Sequence, residues 1–244
     1  MSLKFENKIV CRPPAPDFKS SFIRYLTEKE PESDREPDLQ VEMTDGTLNL
    51  KLYGLIRPGT KNSAQAFMEA LDKHPEAETI NLFIDSHGGD VDEGNQILQG
   101  LQAHPGKVIV TIGNMAASMA SGIAMAGDHV KMFPTSSMMI HNPSTNFSGN
   151  AKELRHIADI LDARAEALRQ AYVQKAKGIV DESFIRKLMD EETFLSADKC
   201  FEYGFCDEII GVKSRSAKTE TVEEAVTEIQ NVKPEKSARK GWLF

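Results

Sequence analysis

The sequence predicts an α/β fold built on a parallel sheet, and three observations support this prediction. Segments with strand-like apolar patterns alternate along the chain with segments of helical spacing. Strands separated by helices imply βαβ units with right-handed crossovers, because parallel neighbours need a long connection. The length of 244 residues, 40 % of them hydrophobic, also provides enough apolar side chains for one sizeable domain.

The predicted strands are short runs that are rich in Val, Ile, Leu and Phe or that alternate apolar with polar residues. They cover residues 48–54, 79–85, 107–112, 129–133, 138–141 and 207–210. The predicted helices have apolar residues at three- and four-residue spacing or are made of small residues that suit tight packing. They cover residues 63–71, 91–101, 116–126, 151–177, 185–189 and 197–203.

The helix at 151–177 is predicted with defined ends. Asn150 can cap its start, with Glu153 three residues later as a capping-box partner, and Gly178 is a plausible stop. At about 1.5 Å per residue the helix would be roughly 40 Å long. It could project from the domain or cover the sheet. Its apolar stripe consists of Leu154, Ile157, Leu161, Leu168 and Tyr172.

The composition argues against several classes of protein. The net charge of −8 makes nucleic acid an unfavourable partner, because an acidic chain cannot replace the counterions of polyphosphate. No apolar run approaches the roughly 20 residues of a membrane span. The three cysteines, Cys11, Cys200 and Cys206, favour a reducing compartment over a disulfide framework. Residues 1–16 lack the apolar stretch of a signal peptide, so a cytoplasmic location is predicted.

The predicted domain organisation has three parts. Residues 1–45 are mixed and polar and form a partly flexible N-terminal arm. Residues 46–212 contain all the predicted strands and form the folded domain. Residues 213–244 are polar and charged, and are predicted to be a largely disordered tail.

Three features at the carboxyl ends of predicted strands could take part in catalysis. Open α/β sheets bind their ligands at these strand ends. Ser118 lies at the start of a small-residue helix, Gly88-Gly89 follows another strand, and His141 ends a third. Each alone is more often a capping serine, an ordinary glycine turn or a structural histidine. Together they offer a nucleophile, a base and oxyanion donors. The histidines show no metal-ligand spacing, so no metal and no cofactor are predicted.

Four sequence blocks resemble the proteolytic subunit of the Clp protease family. Residues 84–89 resemble its strand and double-glycine turn, and 116–119 (Ala-Ala-Ser-Met) its nucleophile segment. Residues 139–143 resemble its histidine segment, and residues 194–207 the segment that follows its acid. The blocks occur in family order. The resemblance implies a Clp protease/crotonase-type spiral of ββα units with a projecting handle helix.

The resemblance also implies roles for individual residues. Ser118 would be the nucleophile and His141 the general base of a serine endopeptidase, with the N–H groups of Gly88 and Met119 forming the oxyanion hole. Aligning the block around residue 194 places Glu192 at the catalytic acid. Asp190 remains an alternative acid, and Ser121 is the next candidate nucleophile if Ser118 is not the one.

Three departures from the family pattern resemble its phage and prophage head maturation branch. His87 replaces the usual proline, Asn114-Met115 adds a residue before the nucleophile segment, and Glu192 replaces aspartate. This branch implies capsid or scaffold proteins as polypeptide substrates, within an assembling prohead or in the cytoplasm. The family implies a homo-oligomeric ring and leaves open an AAA+ unfoldase partner.

Two other functions compete with this interpretation. A crotonase-type acyl-CoA enzyme shares the spiral fold and the paired N–H groups, but it would need carboxylates near Gly88 and Gly122 rather than Ser118 with His141. A non-catalytic assembly subunit of the same fold would have no need to retain the serine and the histidine. Labelling by a fluorophosphonate tests the first alternative, and a peptidase assay tests the second.

Overall fold

A computed structural model of the chain describes residues 39–212, which are built around one sheet. Its strands are β1 (Gln40–Thr44), β2 (Thr47–Ile56), β3 (Thr79–Gly89), β4 (Lys107–Ala117), β5 (His129–Met132), β6 (Ser137–Ile140), β7 (Thr193–Ser196) and β8 (Glu208–Ile209). Its helices are α1 (Ala64–Asp72), α2 (Val91–Ala103), α3 (Met119–Ala124), α4 (Ala151–Ala176), α5 (Glu182–Asp190) and α6 (Ala197–Glu202).

The sheet is mostly parallel, as the alternation of strands and helices predicts. Its main path runs β1-β2-β3-β4-β5-β8, with every pair from β2 onward parallel. Two strands lie off this path: β6 pairs in parallel with β4, and β7 pairs antiparallel with β6. The α/β fold class is confirmed, and this arrangement is consistent with the Clp protease-type fold.

Strand β4 is longer than predicted and serves two neighbours. Its first half, at 109–112, pairs with β5, and its second half, at 115–117, pairs with β6. The prediction of helix at 116–126 is therefore wrong at its start, since Ala116 and Ala117 are strand residues. Alanine favours helix, but Ala116 is fully buried and paired on both sides, opposite Ser86 and Met138. Tertiary pairing overrides the local preference.

Strand β1 was not predicted, because it falls within the stretch assigned to the arm. Its Val41 and Met43 do alternate with polar residues, but the strand is short and most of its side chains are exposed. It is held by antiparallel pairing with β2. Asp45 and Gly46 connect the two with φ of 47° and 75°, the left-handed conformation that tight hairpin turns require. The sheet therefore begins before residue 46.

The core lies between the sheet and the helices. On β2 the side chains of Leu48, Leu50 and Leu52 are at most 1 % exposed, while most of the intervening residues are exposed or half-buried. Full burial of one such side chain stabilises the fold by about 1.5–3 kcal/mol. Strand β3 repeats the alternation. These buried faces hold the carboxyl ends of β3 and β4 in fixed register.

Helix α4 has the predicted length and the predicted start. Asn150 accepts hydrogen bonds from the N–H groups of residues 152 and 153, and the Glu153 side chain accepts one from the Asn150 N–H, which completes the capping box. The first part of the helix is largely exposed, with Leu154 at 48 %. The predicted stripe divides here, because Leu168 and Tyr172 are buried in the core rather than exposed on a projecting rod. The exposed part carries Leu154, Ile157 and Leu161.

Several predictions fall outside residues 39–212, namely most of the N-terminal arm, Cys11 and nearly all of the tail. Within these residues Cys200 and Cys206 are free and buried. None of the helices there is both long and apolar enough to cross a membrane. The same part of the chain has no cluster of His, Cys, Asp and Glu side chains that could hold a metal ion.

Candidate active site

Ser118 occupies the sharp turn between β4 and α3. Its backbone has φ 54° and ψ −127°, a conformation that costs a non-glycine residue about 1–3 kcal/mol and persists only where the surroundings enforce it. The Ser118 N–H donates to the Met139 carbonyl oxygen at 2.9 Å, and the Ser118 carbonyl accepts from the Ser121 N–H at 3.0 Å. The turn is therefore held on both sides, with the side chain half-buried.

His141 lies against this turn. Parallel pairing of β4 with β6 sets Ala117 opposite Met139, so the residue two positions past Met139 emerges beside Ser118. The Ser118 Oγ and the His141 Nε2 are 2.7 Å apart, within the range of a strong hydrogen bond. The sequence-predicted nucleophile and base, 23 residues apart, are thus brought into direct contact.

The environment of His141 keeps its imidazole neutral. Burial lowers the pKa of His141 below its ordinary value of 6.5, and the nearby negative charge of Glu192 raises it again by a smaller amount. A lowered pKa leaves the ring unprotonated at neutral pH. In that state one ring nitrogen can accept the serine proton.

Glu192 approaches His141 through the β6–β7 ladder. That antiparallel pair matches Ile140 with Thr193, so the next two residues along it are His141 and Glu192. Glu192 has φ 49°, and its N–H donates to the Met189 carbonyl at 3.2 Å. Among the described residues no hydrogen bond joins its carboxylate to His141. Their interaction is the longer-range electrostatic one that raises the histidine pKa.

Asp190 has a different partner. Its Oδ1 accepts a hydrogen bond from the Asn142 side chain at 2.7 Å, at an exposed position. Asn142 directly follows His141, so this bond steadies the chain just beyond the histidine. The structure thus brings both candidate acids to the same neighbourhood, but only Glu192 acts electrostatically on the imidazole.

Gly88 packs directly against the nucleophile turn. A Cβ at this position would lie 2.6 Å from the Ala117 carbonyl oxygen, 2.8 Å from the Ser118 Cβ and 2.9 Å from the Met119 nitrogen. Its φ of 91° also disfavours any other residue. A side chain is therefore excluded at Gly88 both by contact and by conformation.

The two predicted oxyanion donors differ in their present partners. The Gly88 N–H donates to the Ser86 Oγ at 3.0 Å, and that hydroxyl donates to the Gly54 carbonyl at 2.5 Å. Met119 begins α3, and the first N–H groups of a helix have no partner within it. The Met119 N–H can donate to an oxyanion without first leaving a helix partner, whereas the Gly88 N–H would have to leave Ser86.

Ser121 is fully buried and engaged. Its hydroxyl lies 2.6 Å from the Ser118 carbonyl oxygen, 2.9 Å from that of Met139 and 2.8 Å from the Tyr172 hydroxyl. These bonds and the 0 % exposure of Ser121 disfavour it as an alternative nucleophile. Burial raises the pKa of Tyr172 far above its usual value, so its hydroxyl keeps the proton.

Sequence reasoning did not find the contact between Ser121 and Tyr172. Ser121 stands one helical turn after Ser118, which is a weak signal that it faces the same way. Tyr172 is 51 residues further along the chain, and it was interpreted only as part of an apolar stripe. Nothing in local spacing connects the two.

The residues brought together can perform acyl transfer: a hydroxyl in contact with a neutral imidazole, a carboxylate near that imidazole, and a backbone N–H at a helix start. A comparison with known families agrees with this chemistry. The sequence model of the family described as Clp protease matches residues 41–213, most of the chain. The chain therefore belongs to the Clp protease family, whose members are serine peptidases that form oligomeric rings and act on polypeptides.

Proposed function

We propose that this member of the Clp protease family is an active serine endopeptidase, with Ser118 as nucleophile and His141 as general base. The observation that carries the proposal is the 2.7 Å contact between the Ser118 Oγ and the His141 Nε2. A serine hydroxyl is a weak nucleophile until a base removes its proton. The lowered pKa of His141 supports the same role, since only a neutral imidazole can accept that proton.

In the proposed reaction the Ser118 Oγ attacks the scissile carbonyl carbon while its proton moves to the His141 Nε2. The carbonyl oxygen becomes an oxyanion and accepts hydrogen bonds from the Met119 N–H and, once it leaves Ser86, the Gly88 N–H. Collapse breaks the C–N bond, and the imidazolium returns the proton to the leaving amine. Water, deprotonated by His141, then hydrolyses the acyl-enzyme and regenerates Ser118.

Glu192 is the proposed acid of this triad. Its position just beyond the last β6–β7 pair, at the end where His141 also lies, and its effect on the histidine pKa support the assignment. The carboxylate would stabilise the imidazolium that forms during attack.

We extend the proposal to a homo-oligomeric ring in the cytoplasm that encloses its active sites, with polypeptides as substrates. The outer part of α4 supports this assembly, because Leu154 is exposed and Ile157 and Leu161 are only half-buried. Apolar surface of this kind is typical of a subunit interface. The proposed organisation remains an N-terminal arm, a peptidase domain and a C-terminal tail. An unfolding ATPase of the AAA+ type is a compatible partner.

The finer proposal is that the enzyme is a head maturation protease that trims phage scaffold or capsid proteins. Three sequence features support it: His87 in place of proline, the extra residue at Asn114-Met115, and Glu192 in place of aspartate. The test is cleavage of purified phage scaffold and capsid proteins. Cleavage of casein alone, with those proteins left intact, would contradict this branch while leaving the peptidase proposal standing.

The peptidase proposal is tested with a fluorophosphonate probe, which phosphonylates only activated serines with loss of fluoride. The parent protein is expected to be labelled on Ser118, and Ser118→Ala to remain unlabelled. Ser136→Ala is a matched control, because Ser136 is also buried and bonds β4 carbonyl groups but does not contact the Ser118 turn. An unlabelled parent would favour a crotonase-type enzyme or a non-catalytic subunit. Equal labelling of Ser118→Ala would place the nucleophile elsewhere.

A further inference from the structure

Two buried hydroxyl groups lie behind the Ser118–His141 pair and belong to neither residue. Ser121 on α3 and Tyr172 on α4 are both 0 % exposed, and their oxygens are 2.8 Å apart. Ser121 also touches the carbonyl oxygens of Ser118 and Met139. Three separate segments therefore meet at one hydroxyl: the nucleophile turn, the strand that leads to the histidine, and the long helix.

The direction of these hydrogen bonds follows from counting protons. Carbonyl oxygens only accept, so the single Ser121 proton must be directed at the Ser118 and Met139 carbonyls. Ser121 then has no proton left for Tyr172. The Tyr172 hydroxyl, which has no other partner among the described residues, must donate to the Ser121 Oγ. Tyr172 therefore donates to Ser121, and Ser121 donates to the two carbonyl oxygens.

The bonded carbonyls belong to the two segments that carry the reacting side chains. Ser118 is itself the proposed nucleophile, and Met139 stands two residues before His141 on β6. Met139 also accepts from the Ser118 N–H at 2.9 Å. The Ser121 hydroxyl thus bridges the backbone of both segments at a point where Ser118 has a strained conformation.

We infer that Ser121 and Tyr172 are a pair of positioning residues that keep the Ser118 turn and the His141 strand at hydrogen-bonding distance. The inference rests on the proposed peptidase function. Neither hydroxyl touches the substrate or the reacting atoms. Their effect is on geometry. Loss of the hydrogen bonds that they form would lengthen the distance from the Ser118 Oγ to the His141 Nε2, and proton transfer depends steeply on that distance.

The expected signature is a loss in kcat rather than in binding. Tyr172→Phe removes one hydroxyl, and Ser121→Ala removes the other and leaves the Tyr172 hydroxyl buried without a partner. Each single variant is expected to lower kcat by about tenfold, the rate equivalent of roughly one net hydrogen bond. The KM should stay near that of the parent. The rate of phosphonylation by a fluorophosphonate should fall in parallel with kcat.

The double variant Ser121→Ala/Tyr172→Phe separates positioning from stability. It removes both hydroxyls together, so no orphaned polar group remains, and its unfolding midpoint in urea should recover towards the parent value. Its kcat should stay about tenfold low, because the bridge is still absent. Ser136→Ala is the control, since it loses a buried hydroxyl that bonds β4 but is expected to keep the parental kcat when assayed well below its unfolding midpoint.

The experiment measures kcat, KM, the rate of fluorophosphonate labelling and the urea midpoint for the parent and all four variants. Low kcat in the double variant with recovered stability supports the positioning role. Parental kcat in the two single variants, or recovery of kcat together with stability in the double variant, overturns it and leaves a purely structural pair. In those cases the parent and Ser136→Ala still cleave peptide. An inactive and unlabelled parent is a different result that overturns the peptidase proposal, and the positioning role with it.

Discussion

The Ser118 turn and the Glu192 turn make an informative comparison, because both residues have a left-handed backbone that only four described non-glycine residues adopt. Ser118 is enclosed by β4, β6 and α3, with hydrogen bonds to both of its backbone groups. Glu192 follows α5 at a half-buried position, where its N–H has one partner. The first turn is fully constrained in a single chain. The second turn, which carries the proposed acid, is held by fewer hydrogen bonds among the described residues.

The largest effect is expected at the constrained turn. Ser118→Ala removes the proposed nucleophile and should lower turnover of casein or a peptide by a factor on the order of 10⁴ or more. Folding should be intact, because alanine keeps the backbone bonds to Met139. The check is peptidase kinetics together with circular dichroism. Turnover near the parental rate would show that Ser118 is not the nucleophile.

The acid turn is expected to show an intermediate effect. Glu192→Gln keeps the shape but removes the charge that stabilises the imidazolium. Loss of a directly bonded acid costs about 10⁴ in kcat. Glu192 is not bonded to His141 in a single chain, so a loss of about 10²-fold is expected.

Asp190→Asn is the matched control for this change, since it removes a neighbouring carboxylate that bonds Asn142 instead. Turnover should be nearly parental in this variant. Steady-state kinetics of the two variants decide between the acids. A damaging Asp190→Asn beside a silent Glu192→Gln would reverse the assignment.

A third change asks whether the less constrained turn depends on neighbouring copies. The double variant Leu154→Glu/Leu161→Glu adds charge to the exposed part of α4. It should reduce the particle size measured by analytical ultracentrifugation. Turnover should fall with particle size if assembly completes the Glu192 turn. A parent that sediments as a monomer at micromolar concentration would contradict the ring proposal.

The control is Leu168→Ala, at the buried end of the same helix. Leu168 is 3 % exposed and lies over Gly122. Its truncation should reduce the free energy of unfolding by about 2–5 kcal/mol. Particle size should be unchanged at temperatures where the variant is folded. Dissociation caused by Leu168→Ala would mean that the two parts of α4 are not independent.

The smallest expected effect is a shift in pH dependence. Because burial lowers the pKa of His141, kcat/KM should rise with pH through a midpoint below 6.5 and then level off. Glu192 raises this pKa, so Glu192→Gln should move the midpoint to still lower pH. Asp190→Asn should leave it in place. A midpoint that moves upward in Glu192→Gln would show that its carboxylate does not act on the imidazole.

Sequence reasoning predicted the elements that local pattern determines. The long helix, its Asn150 cap and the core strands carry their signals within a few residues. The contact of Ser118 with His141 was predicted from the resemblance and from shared strand ends, and the structure brings them together. Their catalytic roles and that of Glu192 remain predictions.

What the sequence did not show depends on contacts between distant segments. The second half of β4 is strand because β3 and β6 pair with it, although Ala116 and Ala117 favour helix. Strand β1 is a short, mostly exposed segment that is held by its pairing with β2. The burial of Leu168 could not be separated from the exposure of Leu154, because one helical stripe contains both.

Helix α4 is anchored at one end and exposed at the other, which gives it the mechanics of a lever. About 17 residues at 1.5 Å each separate its exposed tip from the buried segment that begins at Leu168, a span of roughly 25 Å. When a rigid rod rotates about a pivot, the displacement of each point is proportional to its distance from that pivot. A shift of about 1 Å at Leu154 would therefore move Tyr172, four residues beyond a pivot at Leu168, by about 0.3 Å. Movements of that size are enough to lengthen or shorten a hydrogen bond.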